Sequence, residues 1–506
     1  MKLTKKIHKT VLGLAAVLFL TSCGDFLNLI PKNERIVSEL SDVKTELLAF
    51  WAGHTYSVLP IPTYGSTSLS LMLYNDVNAL LAIYEDNLNL LHFNDHGDIT
   101  QSIMNNYYYQ SAEWKSLSLA TALWRDGYGT MGMMNAVIDD LNHICPTPQL
   151  TPDPKLYASI KAEAHTLRAW TLLKLMEFFT PYDNAELGLP VNLDTEDVEA
   201  KPRLTQQEVY DIILNEVKEA EALQAERMDF NFMYSPYMLD CIRAELYLYK
   251  AGSAAGQQGD WEKAEAYSAQ AIEGYKPETS ANMLRGYFEA DAIGYTTDSP
   301  YYGLRIASKR TCRIGNTFTG IWGKNNAQQI SDELYNLYQP GDIRLQAWFV
   351  TGEVDGVPAM FVRKPTVSEW GPVSDLTVIY RKAELYLANA EAKCRLGKTD
   401  EAEAMLLAFR QARIPGYSKL IDKAHLLDEI VTERRCELCY ENGTRFVDMK
   451  RLGLSISRQA FSKKGTETEI FTLEPNDYRY TLPIPAELEL DYNNIEQNPG
   501  WGSVID

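Results

Sequence analysis

A five-residue string occurs twice in this chain and fixes much of what it can fold into. Ala244-Glu245-Leu246-Tyr247-Leu248 recurs letter for letter as Ala383-Glu384-Leu385-Tyr386-Leu387. Each copy opens a helical pattern that runs to a turn, Gly259-Asp260-Trp261 in the first and Gly397-Lys398-Thr399 in the second. Each turn leads into an alanine-rich helical stretch, from Glu262 and from Glu401. Helix–turn–helix units with alanine at matched places, Ala244 with Ala264 and Ala383 with Ala402, form the tetratricopeptide pattern. Alanine belongs at these contacts because a larger side chain would push the two helices apart. One such unit cannot bury its own apolar face, so the pattern requires neighbours to stack on.

Further helices are written less strictly. Ala162 to Phe179 reads as a helix apolar on one broad face, and Thr205-Gln-Gln-Glu208 is a capping box in front of another, Val209 to Leu223. The expected fold is mainly α, a tetratricopeptide-like helical repeat scaffold of about four helix pairs. These are placed near residues 157–180, 205–251, 260–275, 378–412 and 426–450. Between them, residues 50–115 and 281–375 are rich in Tyr, Trp, Asn, Gly and Pro without a sustained period. They read as long irregular insertions, the kind of segment in which binding function tends to reside. No Pro/Gly/Ser-rich linker separates independent units, so residues 23–506 are expected to form a single domain.

The first 22 residues read as an export signal. Lys2, Lys5, Lys6 and Lys9 precede a short apolar run, Val11 to Leu20, about half of what a membrane-crossing helix needs. Leu20-Thr21-Ser22-Cys23 then puts small residues directly before a cysteine, which is the lipoprotein form of such a signal. Cys23 is the expected lipidation point, and several acyl chains anchor a protein firmly where one does not. The chain carries 48 Lys+Arg against 68 Asp+Glu, a net charge of −20. Removing residues 1–22 takes away those four lysines and no acid, leaving the mature part near −24. That excess argues against nucleic acid or an anionic bilayer surface as partner.

Enzymatic and metal signatures do not survive inspection. Gly397-Lys398-Thr399 ends like a phosphate loop, but Ala392 stands where the first glycine is required. There is no His-Glu-x-x-His and no Gly-x-Ser-x-Gly. His92 and His96 with Asp95 and Asp98 suggest a metal site, yet Phe93, Asn94 and Gly97 make the stretch a loop of doubtful registry, and no metal or cofactor is expected. Besides Cys23 there are Cys145, Cys241, Cys312, Cys394, Cys436 and Cys439. Cys436 and Cys439 have C-x-x-C spacing with no second pair, and read as packed or free thiols. The charged block from Glu433 to Arg451 invites a catalytic reading. A structural one is better: Arg434 with Glu437 or Leu438, Glu437 with Glu441, and Arg445 with Asp448 stand at three- and four-residue spacing, and a charged network would lock a turn onto the scaffold.

Several motifs, taken together and in order, resemble the SusD/RagB-type outer-membrane lipoproteins of Bacteroidetes. These are Cys23-Gly24-Asp25-Phe26-Leu27 with Pro31, and the helix Ala162-Glu163-Ala164 to Phe178-Phe179 closed by Gly188-Leu189-Pro190-Val191. They continue with Glu433-Arg434-Arg435 through Glu441-Asn442-Gly443 to Arg451, and with Pro483-Ile484-Pro485 and Gln497-Asn498-Pro499-Gly500-Trp501. The resemblance implies a helical scaffold with an irregular ligand-binding face, placed at the outer membrane. It also implies a SusC-like TonB-dependent transporter as partner, over which the lipoprotein closes. Ligands implied by the resemblance are mostly oligosaccharides, with peptides in some branches.

The chain's 30 tyrosines favour binding, since a flat ring covers the C–H face of a sugar while amides and carboxyls take its hydroxyl rim. Tyr107, Tyr108, Trp114, Tyr301, Tyr302, Trp322 and Asn325, all in the irregular stretches, are the expected ligand-binding residues, and no catalytic residue is expected. The leading expectation is a nutrient-binding lipoprotein that captures a glycan for transport. The alternatives are a peptide-binding member, a helical scaffold for protein–protein contact without a nutrient, and a hydrolase.

Overall fold

The structure is a computed structural model. It describes residues 37–54, 81, 84–89, 118–146, 150–285, 304–307, 329–354, 357–362, 364, 376–459, 470–485, 493 and 495–502. The frame is helical: α1 (Leu40–His54), α2 (Ser118–Ile144), α3 (Pro154–Phe179), α4 (Gln206–Ala222), α5 (Pro236–Lys250) and α6 (Asp260–Ala271) come first. Short helices α7 (Ala281–Arg285), α8 (Asp332–Tyr335) and α9 (Ile343–Trp348) follow, then α10 (Lys382–Arg395), α11 (Thr399–Arg413), α12 (Leu426–Leu438) and α13 (Thr444–Arg451). The expected tetratricopeptide-like fold is borne out. Both repeats form: α5 packs on α6 and α10 on α11, and the units stack through α6 on α10. Ala244, Ala264, Ala383 and Ala402 are all buried at these contacts. Asn389 on α10 ties the stack by donating to Glu265 O (2.8 Å) and Ser268 Oγ (3.0 Å) on α6. Gly259 (φ +88°) and Gly397 (φ +75°) make the repeat turns in left-handed backbone, which suits glycine.

The capping box expected from the sequence forms. Thr205 and Glu208 form the reciprocal capping box at the start of α4, and Asp153 caps α3 by accepting from Leu156 N at 3.0 Å. The expectation for α3 needs correction. It is not apolar on one face: every residue from Ala162 to Phe179 is buried, so it is the central rod of the molecule. Most of its charged residues are tolerated because they are partnered, whereas His165 Nε2 and Trp170 Nε1 are buried without a hydrogen bond. Glu163 accepts the backbone N–H groups of Phe232, Met233 and Tyr234 at 2.9, 2.9 and 2.7 Å, pinning that turn to the rod. Arg168 and His165 both hold Glu216 of α4. A buried polar group without such a partner costs roughly 1–3 kcal/mol.

A second correction concerns residues 281–375. Their described parts contain α7 to α9 and the strands β2 (Leu304–Ala307), β3 (Gln329–Ile330), β4 (Phe349–Val354) and β5 (Val357–Val362) rather than purely irregular chain. With β1 (Leu88–Asn89), these build a four-stranded antiparallel sheet in the order β1-β3-β5-β4, while β2 pairs with β6 (Leu376–Tyr380). Strands β7 (Ile456–Gln459) and β8 (Ile470–Leu473) pair near the end of the chain. The sheet is seated on the C-terminal end of α12 through a separate apolar cluster that includes Trp348, Tyr338, Leu334, Cys436, Cys439 and Tyr440. Cys436 and Cys439 are free and buried there, as packing groups.

Candidate functional site

Cys23, Tyr107, Tyr108, Trp114, Tyr301, Tyr302, Trp322 and Asn325 lie outside the described residues, as do His92 and His96. What the structure does place is one point inside each of the two aromatic-rich stretches, where the chain pairs with itself. Strand β1, ahead of Tyr107, pairs antiparallel with β3, just after Asn325: Leu88 faces Ile330 and Asn89 faces Gln329. Ser331 completes the joint, donating its N–H to Asn87 O (2.8 Å) and its hydroxyl to Asp86 O (2.8 Å).

This joint is held by the Glu433–Arg451 block. Arg445 grips Asp86 with two bonds, Nε at 2.7 Å and Nη2 at 2.6 Å, and Arg435 donates to Asn87 Oδ1 (3.0 Å) and Asp86 O (2.8 Å). Tyr440 donates its hydroxyl to Asn87 O at 2.6 Å, and Arg458 donates to Glu85 O. Burial alone would raise Asp86, but Arg445 and Arg435 override it and hold its carboxyl down at about 2. Its neighbour Glu85 is pushed up to about 7 by burial and by the charge on Asp86.

The same block is a structural network, as the sequence suggested, but its pairing is not local. Glu437 is fully buried between Arg413 (2.9 Å), Arg381 (2.8 Å) and Arg344 (3.3 Å), which come from α11, from the residue before α10 and from α9. Despite burial, these guanidinium groups hold its carboxyl well below the usual range. Arg434 pairs with Asp448 (2.9 Å) and Glu384 (3.2 Å), not with Glu437, and Arg445 pairs with Asp86, not with Asp448. Glu441 pairs with Arg381 at 2.7 Å, and with Lys364. The expected three- and four-residue pairs are overruled because each side chain points off its helix into a neighbour. Arg451 with Asp448 (2.7 Å) is a short-range pair that does form.

A further buried group links the rod to the first repeat. Lys174 of α3 donates to Glu177 (3.0 Å) and Glu245 (2.5 Å), and Tyr380 also donates to Glu245. Burial and the nearby Glu245 push Glu177 up to about 8.

Two clefts open on the described surface. The larger, about 580 Å³, lies between α2 and the 190–201 loop, which is strapped to α2 by Tyr128 Oη donating to Pro190 O (2.8 Å) and Asn135 donating to Asn192 O (2.9 Å). Its rim offers Asp194, Asp197 and Glu199, but Trp124 at its floor is buried in the core and is not free to stack on a ligand. The smaller, about 280 Å³, lies between the 181–184 turn and the 476–481 segment and brings together Tyr182, Tyr478, Asp183, Asn476 and Lys450. Sequence reasoning singled out none of these. Asn476 sits at φ +62°, an unusual conformation for a residue other than glycine.

The tyrosine excess is explained in part by packing. Tyr84, Tyr210, Tyr249, Tyr338, Tyr380 and Tyr440 are core residues, as are Trp51, Trp348 and Trp501. Among the described residues, no group of three or more His, Cys, Asp or Glu is arranged to hold a metal ion, and no helix is long and apolar enough to cross a membrane.

Comparison with known proteins agrees with this architecture along most of the chain. Residues 356–501 match the model described as "SusD family", and residues 68–236 match one described as "Starch-binding associating with outer membrane". SusD-like protein P38 of Formosa agariphila is 23% identical over 411 residues, covering 71% of this chain and 76% of its own. Among solved structures, a SusD-like carbohydrate binding protein from Bacteroides vulgatus aligns with TM-score 0.65 and 18% identity over 90% of this chain and 97% of that one. A SusD superfamily protein from Bacteroides thetaiotaomicron aligns with TM-score 0.64 and 21% identity, over 91% and 100%. Motif order, a helical stack with a seated sheet, and two family matches that together span more than half of the sequence give one result: the chain belongs to the SusD family.

Proposed function

We propose that this chain is a cell-surface lipoprotein of the outer membrane that captures an oligosaccharide and passes it to a SusC-like TonB-dependent transporter. The observation that supports it best is the β1–β3 joint, clamped by Arg435, Arg445 and Tyr440, which ties a point within one aromatic-rich stretch to a point within the other. A rigid base of this kind lowers the entropic cost of presenting several rings to one ligand. The carbohydrate-binding description of the similar B. vulgatus protein and the outer-membrane description of the matched family model point the same way. Tyr107, Tyr108, Trp114, Tyr301, Tyr302 and Trp322 are the stacking candidates and Asn325 a rim partner. Cys23 carries the lipid, after removal of residues 1–22. The role is binding without turnover.

Affinity electrophoresis and calorimetry of the mature chain against a glycan panel test this reading. At least one glycan should bind, Trp322→Ala should weaken it several-fold, and no new reducing ends should arise on incubation. Binding to peptides alone, or release of reducing sugar, would overturn it. Cys23→Ala should move the protein from the membrane fraction to the soluble one, and the transporter should co-purify from native membranes.

A further inference from the structure

Lys450 is a buried cation without a counter-ion. It is 4% exposed, and its ammonium donates to two backbone carbonyls, Glu177 O and Thr180 O (the latter at 3.1 Å), at the C-terminal end of α3. Its Nζ also lies 5.5 Å from the Tyr249 ring. Among the described residues no carboxylate comes within ion-pairing distance of it. The acid whose charge acts on Lys450, Glu177, is engaged by Lys174 at 3.0 Å, and its charge offsets only part of the effect of burial. Asp477, on the cleft wall, is held by its own Arg479 at 2.7 Å.

Capping a helix end accounts for two of the three ammonium donors and for part of the charge, since the carbonyl end of a helix is partly negative. It leaves a full cation in a low-dielectric setting, and burial accordingly pushes Lys450 down to about 7. Lys450 also lines the smaller cleft. That cleft's volume of about 280 Å³ is room for a small ligand and not for a single water alone. Tyr182 and Tyr478 are half-buried on its walls, and Asn476 is exposed at its edge.

We propose that this cleft binds a small carboxylate-bearing ligand, a hexuronate or an organic acid of similar size, with the Lys450 ammonium as its counter-ion and Tyr182 and Tyr478 as its walls. The ligand's carboxylate supplies the charge that the fold leaves out, and the rings cover its apolar face. The site shares no residue with the aromatic-rich stretches and does not rest on the glycan-capture reading, so either can fail without the other.

The test is calorimetric titration of the mature chain in detergent at about pH 6, where the lysine is charged. The probes are D-glucuronate, lactate, D-glucose and inorganic phosphate, added to the wild type, Lys450→Met and Asp183→Asn. Glucuronate or lactate should bind while glucose and phosphate do not, and binding should fall at least tenfold in Lys450→Met. Which of the two acids binds tells a sugar acid from a simple organic acid. Asp183→Asn, an exposed change at the rim that leaves the fold intact, should tighten binding about twofold by removing a repelling charge. No binding of either acid to the wild type, equal binding of glucose or phosphate, full binding by Lys450→Met, or no response to Asp183→Asn would each overturn the proposal.

Discussion

Glu437 shows why a charge-rich helix in this chain is a structural device. Its carboxylate faces Arg344, Arg381 and Arg413, three guanidinium groups that are themselves almost wholly buried. Bringing such charges out of water costs several kcal/mol per ion, and the cost is offset here because the carboxylate serves all three and Arg413 also reaches Glu278 at 2.9 Å. Removing one partner leaves the others stranded. Glu437→Gln should therefore destabilise the protein by about 3–5 kcal/mol, read as a shift of the urea midpoint, although the shape of the side chain is kept. A loss below about 1 kcal/mol would mean the guanidinium groups are solvated in the folded state. Glu163 is the corresponding case for backbone donors: with three N–H groups on one carboxylate, Glu163→Ala should unfold the 230–234 turn first.

At the scale of elements, the repeats rest on two separable features, the turn glycine and the alanine contact. Gly397 has φ +75° and open space where a Cβ would stand, so Gly397→Ala should cost about 1–2 kcal/mol through backbone strain alone. Ala383, buried against its neighbours, has no such room, and Ala383→Leu should cost about 1–3 kcal/mol through overpacking and also loosen α10 from α11. Thermal unfolding of the two variants and hydrogen exchange on α10 separate these effects. If protection on α10 fell equally in both, the division would be wrong. These features were legible in the sequence because they are local: identical letters, matched alanines, a glycine at each turn, and the Thr205–Glu208 capping box. The burial of α3 on all sides was not legible, because the partners of Glu163, Arg168 and Lys174 come from a turn and from helices far along the chain. For the same reason the Glu433–Arg451 block revealed its structural role but not its partners. The smaller cleft escaped notice because Tyr182, Lys450 and Tyr478 converge only in three dimensions. The aromatic residues chosen for ligand binding lie outside the described residues, and sequence supplied their neighbourhood and nothing of their geometry.

For the molecule as a whole, the many buried acids give stability an unusual dependence on pH. Asp86, Glu433, Glu437 and Asp448 are held below their ordinary values, burial opposing and the arginines prevailing. A depressed acid stabilises the fold above its unfolded value, and that contribution is lost as pH falls from about 4 toward 2. Glu85 and Glu384 are pushed up to about 7 and Glu177 to about 8, chiefly by burial. Between the ordinary value of 4.5 and those raised values the folded chain holds protons that the unfolded chain has released, so stability falls as pH rises through that window. Lys450 has the opposite sign: lowered to about 7, it lets stability recover as pH rises from there toward its unfolded value of 10.5. The unfolding free energy should therefore peak near pH 5, fall as pH rises toward 8, and recover beyond it as Lys450 comes to dominate. Glu177→Gln removes one of the raised acids, keeps an acceptor for Lys174, and should flatten the fall between pH 5 and 8. Urea titrations of both proteins across that range provide the check, and a wild-type curve that rises from pH 5 to 8 would show that these acids are ionised inside the folded molecule.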